Sequence, residues 1–190
     1  WLPFAESVEI LPAGQTAPVP AKRIHEAGLF EAILPQQKRA HDYKIRARTA
    51  DGTITESHDP YALPPLLTDF ELHLFSEGTF YRAYESLGAH VRTVEGITGV
   101  HFVVWAPNAM RVSVVGEFNR WDGRCHPMTN RGSTGLWEIF LPELPDGSLY
   151  KYEIRPRGQD AVLTKADPYA RASELRPRTA SIVRDLSDFT

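Results

Sequence analysis

Gly135-Leu136-Trp137-Glu138-Ile139-Phe140-Leu141-Pro142 occurs twice in this chain, the first time as Gly28-Leu29-Phe30-Glu31-Ala32-Ile33-Leu34-Pro35. The offset is 107 residues, and Tyr43-Lys44 and Tyr150-Lys151 keep it. Asp59-Pro60-Tyr61-Ala62 recurs as Asp167-Pro168-Tyr169-Ala170 at an offset of 108, and Ser7-Val8 as Ser113-Val114 at 106. Four matched blocks in one order mark two copies of one module, and a repeat outranks any local reading of the fold.

Each copy reads as all-β. In the second, Val100 to Trp105, Arg111 to Gly116, Leu136 to Leu141 and Leu149 to Ile154 are short apolar runs rich in β-branched and aromatic residues. Turn signals separate them: Ala106-Pro107-Asn108, Trp121-Asp122-Gly123, Asn130-Arg131-Gly132 and Pro145-Asp146-Gly147. The first copy offers Val8 to Leu11, Leu29 to Leu34, Tyr43 to Thr49 and Thr53 to Glu56, with Asp51-Gly52 as a hairpin turn. The pattern predicts two tandem immunoglobulin-like β-sandwiches. We expect the first module over 1–66, a connector over 67–96, the second module over 97–182 and a lead-in to a further domain over 183–190. Thr79 to Leu87 predicts a short connector helix with Phe80, Tyr84 and Leu87 on one face and Gly88 as its stop. Phe70, Leu72, Leu74 and Phe75 predict a connector that packs rather than floats.

The 190 residues, 42% hydrophobic and 24% charged, are ordinary for globular protein. No apolar run approaches the ~20 residues of a membrane helix. The start, Trp1-Leu2-Pro3-Phe4, lacks an initiator Met and a signal-peptide pattern, so we expect a fragment of a longer protein. Net charge is -3 with no basic run, which argues against a nucleic-acid partner and suits a neutral one. A single cysteine, Cys125, excludes an internal disulfide framework and points to a reducing cytoplasm. No cofactor and no metal are expected.

Chemistry on a glycosidic bond needs two placed carboxylates. None of the 24 acidic residues sits in such a motif, and no nucleophile elbow, phosphate loop or His-Glu-x-x-His occurs. The histidines His25, His41, His58, His73, His90, His101 and His126 are dispersed and read as packing or surface residues. Cys125 beside His126 reads as a loop pair, since neighbours on an extended chain point apart. Trp105 and Trp137 lie in strand patterns and are expected in the core. Trp121 differs: it ends a loop after a strand, where an indole can stack on a sugar ring or fold back over its own sandwich. One stacking face of about 80 Å² gives about 2 kcal/mol, whereas millimolar binding needs about 4 kcal/mol. Further contacts are therefore required, and Lys151, Asp122 and Asn119 are the nearest candidates by motif.

Trp105-Ala106-Pro107-Asn108-Ala109, Val112 to Gly116, and Phe118-Asn119-Arg120-Trp121-Asp122-Gly123 resemble the module ahead of the catalytic barrel in isoamylases, debranching enzymes and branching enzymes. With Leu87-Gly88-Ala89-His90, His126-Pro127-Met128, Tyr150-Lys151-Tyr152-Glu153, Asp167 to Ala170 and Arg176-Pro177-Arg178-Thr179-Ala180-Ser181, the set is similar to bacterial 1,4-α-glucan (glycogen) branching enzymes. The resemblance covers about residues 60 to 185, and the first copy resembles the extra N-terminal module of the longer bacterial enzymes. It implies a parent glycosyltransferase of the α-amylase superfamily whose catalytic carboxylates lie beyond Thr190. This fragment would then be inactive. It also implies α-1,4-glucan and the catalytic barrel of the same chain as partners. The sugar site that it implies departs from the kinase-subunit form of the module: Arg155 to Asp160 lacks the second aromatic. In the first copy Leu11-Pro12-Ala13-Gly14 replaces the Trp-Asp-Gly loop. A free-standing glucan-binding module and the same region of a debranching hydrolase are the alternatives.

Overall fold

A computed structural model of the chain describes residues 1–14, 17–34 and 43–187. Pro35, His41 and the last three residues of the expected lead-in lie outside the described residues. The chain divides into two compact units, Trp1–Pro64 and Pro65–Thr190. Among the described residues it is all-β apart from one short helix and three single 3₁₀ turns.

The first unit contains β1 (Ala5–Pro12), β2 (Val19–His25), β3 (Leu29–Glu31), β4 (Tyr43–Thr49) and β5 (Ile54–His58). These form one antiparallel sheet in the order β3-β2-β1-β4-β5. The expected Asp51-Gly52 turn is present: Asp51 Oδ1 accepts from the Thr53 amide at 3.0 Å, and Gly52 adopts φ +85°. Ala5, Val8 and Ala47 are buried, with Leu2, Ala21, Phe30 and Ile45 packed on them. Among the described residues the strands form one hydrogen-bonded path, and Phe30 of β3 packs on the core residues of β1 and β4.

The second unit contains α1 (Asp69–Ser76), β6 (Gly88–Val94), β7 (Ile97–Trp105), β8 (Ala109–Gly116), β9 (Thr129–Asn130), β10 (Leu136–Pro142), β11 (Leu149–Pro156), β12 (Leu163–Lys165), β13 (Ala172–Ser173) and β14 (Ser181–Ile182). One sheet runs β6-β7-β10-β9; the other runs β12-β11-β14-β13, with β8 paired to β11. Alternation fills the space between them. Val100, Phe102 and Val104 of β7, Val112 and Val114 of β8, Trp137, Ile139 and Leu141 of β10, and Tyr150 and Tyr152 of β11 share one core.

The opposite parity of β7 and β10 is buried too, because residues 65–87 lie across that face. Val103 and Leu136 form a second cluster with Leu67 and Leu87, flanked by Leu72, Phe75 and Ala83. Glu138 anchors this layer. Its Oε2 accepts from the Leu66 and Leu67 amides, each at 3.0 Å, and from His101 Nε2 at 2.7 Å. Its Oε1 meets Arg131 Nη1 at 3.0 Å, and Arg131 Nη2 donates to the Leu67 carbonyl.

The helix expected at Thr79 to Leu87 lies instead at Asp69–Ser76; the expected stretch holds only a 3₁₀ turn, Ala83–Glu85. The end signals explain the displacement. Thr68 and Glu71 form a reciprocal capping box. At the other end the Thr79 amide donates to Leu74 O and the Gly78 amide to Phe75 O, a Schellman closure with Gly78 at φ +71°. Gly88 does not stop a helix. It opens β6, which belongs to the sandwich rather than to a linker.

The repeat survives as shared devices. Tyr43 Oη donates to Asp59 Oδ2 at 2.6 Å, as Tyr150 Oη does to Asp167 Oδ2 at 2.6 Å. In each turn the other carboxylate oxygen accepts the amide of the following tyrosine, Tyr61 at 2.9 Å and Tyr169 at 2.8 Å. Gly28 and Gly135, at φ +98° and +74°, each introduce the matched strand. The copies diverge where that strand pairs: β3 joins the sheet of β1 and β4, while β10 joins the sheet facing β8 and β11.

Candidate functional site

Strand β8 leads into the loop from Glu117 to Met128, which folds back over the outward face of the β8–β11 pair. Tyr150 and Tyr152 point into the core, so Lys151 and Glu153 project outward. The loop is seated on that side by Gly123: a Cβ there would lie 2.1 Å from Glu153 Oε1. Glyless chemistry would push the turn off the strand, which accounts for the glycine ending the Trp121-Asp122-Gly123 motif. Glu153 is fixed in turn by an ion pair with Arg111.

Arg120 and Trp121 both adopt left-handed backbone, at φ 56° and 59°. Each such residue without a glycine costs about 1–2 kcal/mol, so the loop is held by its surroundings. Asn119 supplies much of the hold. Its Oδ1 accepts the Gly116 amide, and its Nδ2 donates to Val114 O and His126 Nδ1, each at 2.9 Å. At 5% exposure, Asn119 shapes the loop, and its expected role as a sugar contact is withdrawn. Asp122 is similarly engaged. Arg124 grips its carboxylate through Nε and Nη2, at 3.0 and 2.6 Å, and holds its pKa below the usual carboxylate range. Its carboxylate is therefore engaged within the loop rather than held free for a sugar.

Trp121 and Lys151 remain available. Trp121 is 40% exposed, so part of its indole faces solvent. Lys151 Nζ donates to Thr179 Oγ1 at 2.8 Å, which leaves two of three ammonium donors. Cys125 and His126 form no nucleophile and base. Burial pushes the thiol up to about 11 and the imidazole down to about 4, so both are neutral near pH 7.

Residues 1–61 match the family model described as alpha-1,4-glucan branching enzyme GlgB, N-terminal domain. Residues 86–170 match Carbohydrate-binding module 48 (Isoamylase N-terminal domain), which contains the whole Trp121 loop. The chain belongs to the GlgB family. It is 52% identical over 186 residues to the 1,4-alpha-glucan branching enzyme GlgB of Rhodopseudomonas palustris, covering 97% of this chain and 25% of that protein. It is 47% identical over 183 residues to the enzyme of that name from Methylococcus capsulatus, covering 96% of this chain and 24% of that one. The chain thus spans about a quarter of the length of these curated relatives. Among solved structures, a maltotriose-bound pullulanase from Klebsiella pneumoniae aligns with a TM-score of 0.44 and 20% identity, over 98% of this chain and 20% of that one.

Within this GlgB-family chain, Arg155 to Asp160 supplies no aromatic beside Trp121. Arg157, an exposed residue, is tied back to the start of β8, its amide donating to Asn108 O at 2.9 Å and its Nε to Ala109 O at 3.3 Å. The expectation for the two strand tryptophans divides. Trp137 is 6% exposed in the core, with Nε1 donating to Ala106 O at 3.1 Å. Trp105 is 56% exposed, a correction to the core assignment. It is the last residue of β7 and lies on the outward face, where Phe75 of α1 meets it edge-on.

Proposed function

We propose that this region is the glucan-handling front of a glycogen branching enzyme. The parent cuts an α-1,4-glucan, holds the segment as a covalent glycosyl-enzyme and transfers it to a 6-hydroxyl. The carboxylates for that chemistry belong to a catalytic barrel beyond Thr190. The two modules orient that barrel in the cytoplasm and guide glycogen, amylose or maltooligosaccharide chains to it. The observation that carries the reading is Trp121: a partly exposed indole on a loop whose left-handed backbone is braced by Asn119. No helix among the described residues is long and apolar enough to cross a membrane.

Two results are expected. Titrating the chain with maltoheptaose should move the Trp121 indole signal in an NMR spectrum with millimolar or weaker affinity. Loss of about 2 kcal/mol of stacking in Trp121→Ala corresponds to about 30-fold weaker binding there. An unmoved signal, with equal binding by the variant, would place any sugar site elsewhere. Separately, amylose incubated with the 190-residue chain should keep its iodine colour and its reducing-end count. Turnover abolished by a point substitution within the chain would overturn the assignment of catalysis to the missing barrel.

A further inference from the structure

Trp105 is the more exposed of the two surface indoles in the second unit, and its surroundings hold it still. Its Nε1 donates to the Thr134 carbonyl at 3.2 Å, so its one polar atom is satisfied inside the protein. Phe75 of α1 meets it edge-on, with ring centroids 6.2 Å apart and planes at 62°. Gly135 closes the third side: a Cβ there would stand 3.1 Å from Nε1 and 2.7 Å from Pro107 Cβ. The indole is therefore fixed along its polar edge and by a neighbouring ring, with 56% of its surface exposed. What it offers solvent is apolar ring face. Such a group loses little rotational freedom when a flat apolar ligand settles on it.

Its position separates it from Trp121. Trp105 shares the outward parity of Val103 on the β6-β7-β10-β9 sheet, where it pairs with Leu136. The Trp121 loop covers the outward face of the other sheet. Paired sheets stand about 10 Å apart, and their outward surfaces are further apart still. One short oligosaccharide cannot lie flat on both indoles.

We infer that Trp105, braced by Phe75, Thr134 and Gly135, is a second platform for the apolar face of an α-glucan ring. This rests on the glucan-binding reading of the module and adds to it a second contact on the opposite sheet. A module with two such platforms holds two chain segments, or one long chain that wraps around its edge. With one stacking face, each platform is weak alone, and long or branched glucans gain by engaging both.

The test follows individual indole signals of the 190-residue chain during titration with maltoheptaose, with sorbitol as a polyol control. Expected are saturable shifts of the Trp105 signal with maltoheptaose and none with sorbitol, while the buried Trp137 signal stays still. Trp105→Ala should leave the Trp121 titration within about twofold of the parent curve, as for independent distant sites. Trp121→Ala should likewise leave the Trp105 curve in place. Trp105→Phe keeps an aromatic face and should retain binding there, read from the shifts of the adjacent Thr134 and Gly135 backbone amide signals. It reports on the site even if Trp105→Ala loosens the fold. A Trp105 signal that ignores maltoheptaose while Trp121 responds overturns the second platform and leaves the first intact. So does a Trp105 shift that disappears in Trp121→Ala, since it would be an echo of the other site.

Discussion

Replacing Glu138 by alanine is expected to lower the stability of the second unit by about 3–5 kcal/mol, the range for removing one partner of a buried charge cluster. Glu138 is 3% exposed and serves four partners: two amides of the connector, the His101 imidazole and the Arg131 guanidinium. Burial pushes its carboxyl up, but His101 and the Leu67 and Leu66 amides outweigh that and hold it below its ordinary value. The group is thus ionised, and alanine leaves the His101 donor and two connector amides without their acceptor and removes the charge partner of Arg131. Glu138→Gln keeps one acceptor oxygen and should cost less. Urea unfolding of the three proteins measures the difference. A midpoint shift equivalent to less than about 1 kcal/mol for the alanine variant would show that the connector does not depend on this residue.

Glu138 also shows what the sequence could and could not convey. The repeat pairs it with Glu31, and the two look alike in their octapeptides, yet Glu31 is exposed. The identity of the strand was legible, because Leu29-Phe30 and Leu136-Trp137 carry the same apolar pattern after a left-handed glycine. The environment of the acid was not, because it depends on His101 and on chain 71 residues away. The same distinction separates the site residues. Trp121, Asp122 and Gly123 were recognisable as a turn. That Asn119 and Asp122 spend their polar atoms inside the loop depends on His126, Val114 and Arg124 coming round to meet them.

Trp105 was misread for a related reason. Val100 to Trp105 is apolar throughout, so alternation could not tell which parity stays covered to the end of the strand. The connector buries Val103 but meets Trp105 only through Phe75, which leaves more than half of the indole exposed. The helix displacement, by contrast, was avoidable. Thr68-Asp69-Phe70-Glu71 is a capping-box sequence, and Gly78 is its stop; apolar spacing in Thr79 to Leu87 drew the reading away from explicit end signals.

Acid should destabilise this chain from about pH 6.5 downward through two buried histidines. His90 is 5% exposed; its Nε2 donates to Leu87 O and its Nδ1 accepts from Arg171 Nη2, both at 2.8 Å. His126 Nδ1 accepts from the Asn119 amide at 2.9 Å. Both rings are bonded as neutral imidazoles, and burial pushes each down to about 4. A proton on Nδ1 of His90 would face a guanidinium, and one on Nδ1 of His126 would face an amide donor. An unfolded histidine titrates near 6.5, so between about 6.5 and 4 the unfolded chain binds more protons than the folded one. Stability is therefore full above pH 6.5 and falls as pH drops toward 4. We expect a total loss on the order of 3 kcal/mol by pH 4.5, about half the ideal sum, because partial solvent access screens both rings. Asp167, pushed up by burial against the hydrogen bonds of Tyr150, Tyr169 and Tyr152, acts with the opposite sign and blunts the fall. Glu138, held low, adds to the loss only below its unfolded pKa of about 4.3. Asparagine places an acceptor oxygen near the position of Nδ1 without taking a proton. Denaturant unfolding of the parent and of the double variant His90→Asn, His126→Asn from pH 7 to 4.5 separates these contributions. The variant should be less stable at pH 7, where the Leu87 contact is lost, yet nearly flat across the window. An unchanged slope in the double variant would assign the acid sensitivity to other groups.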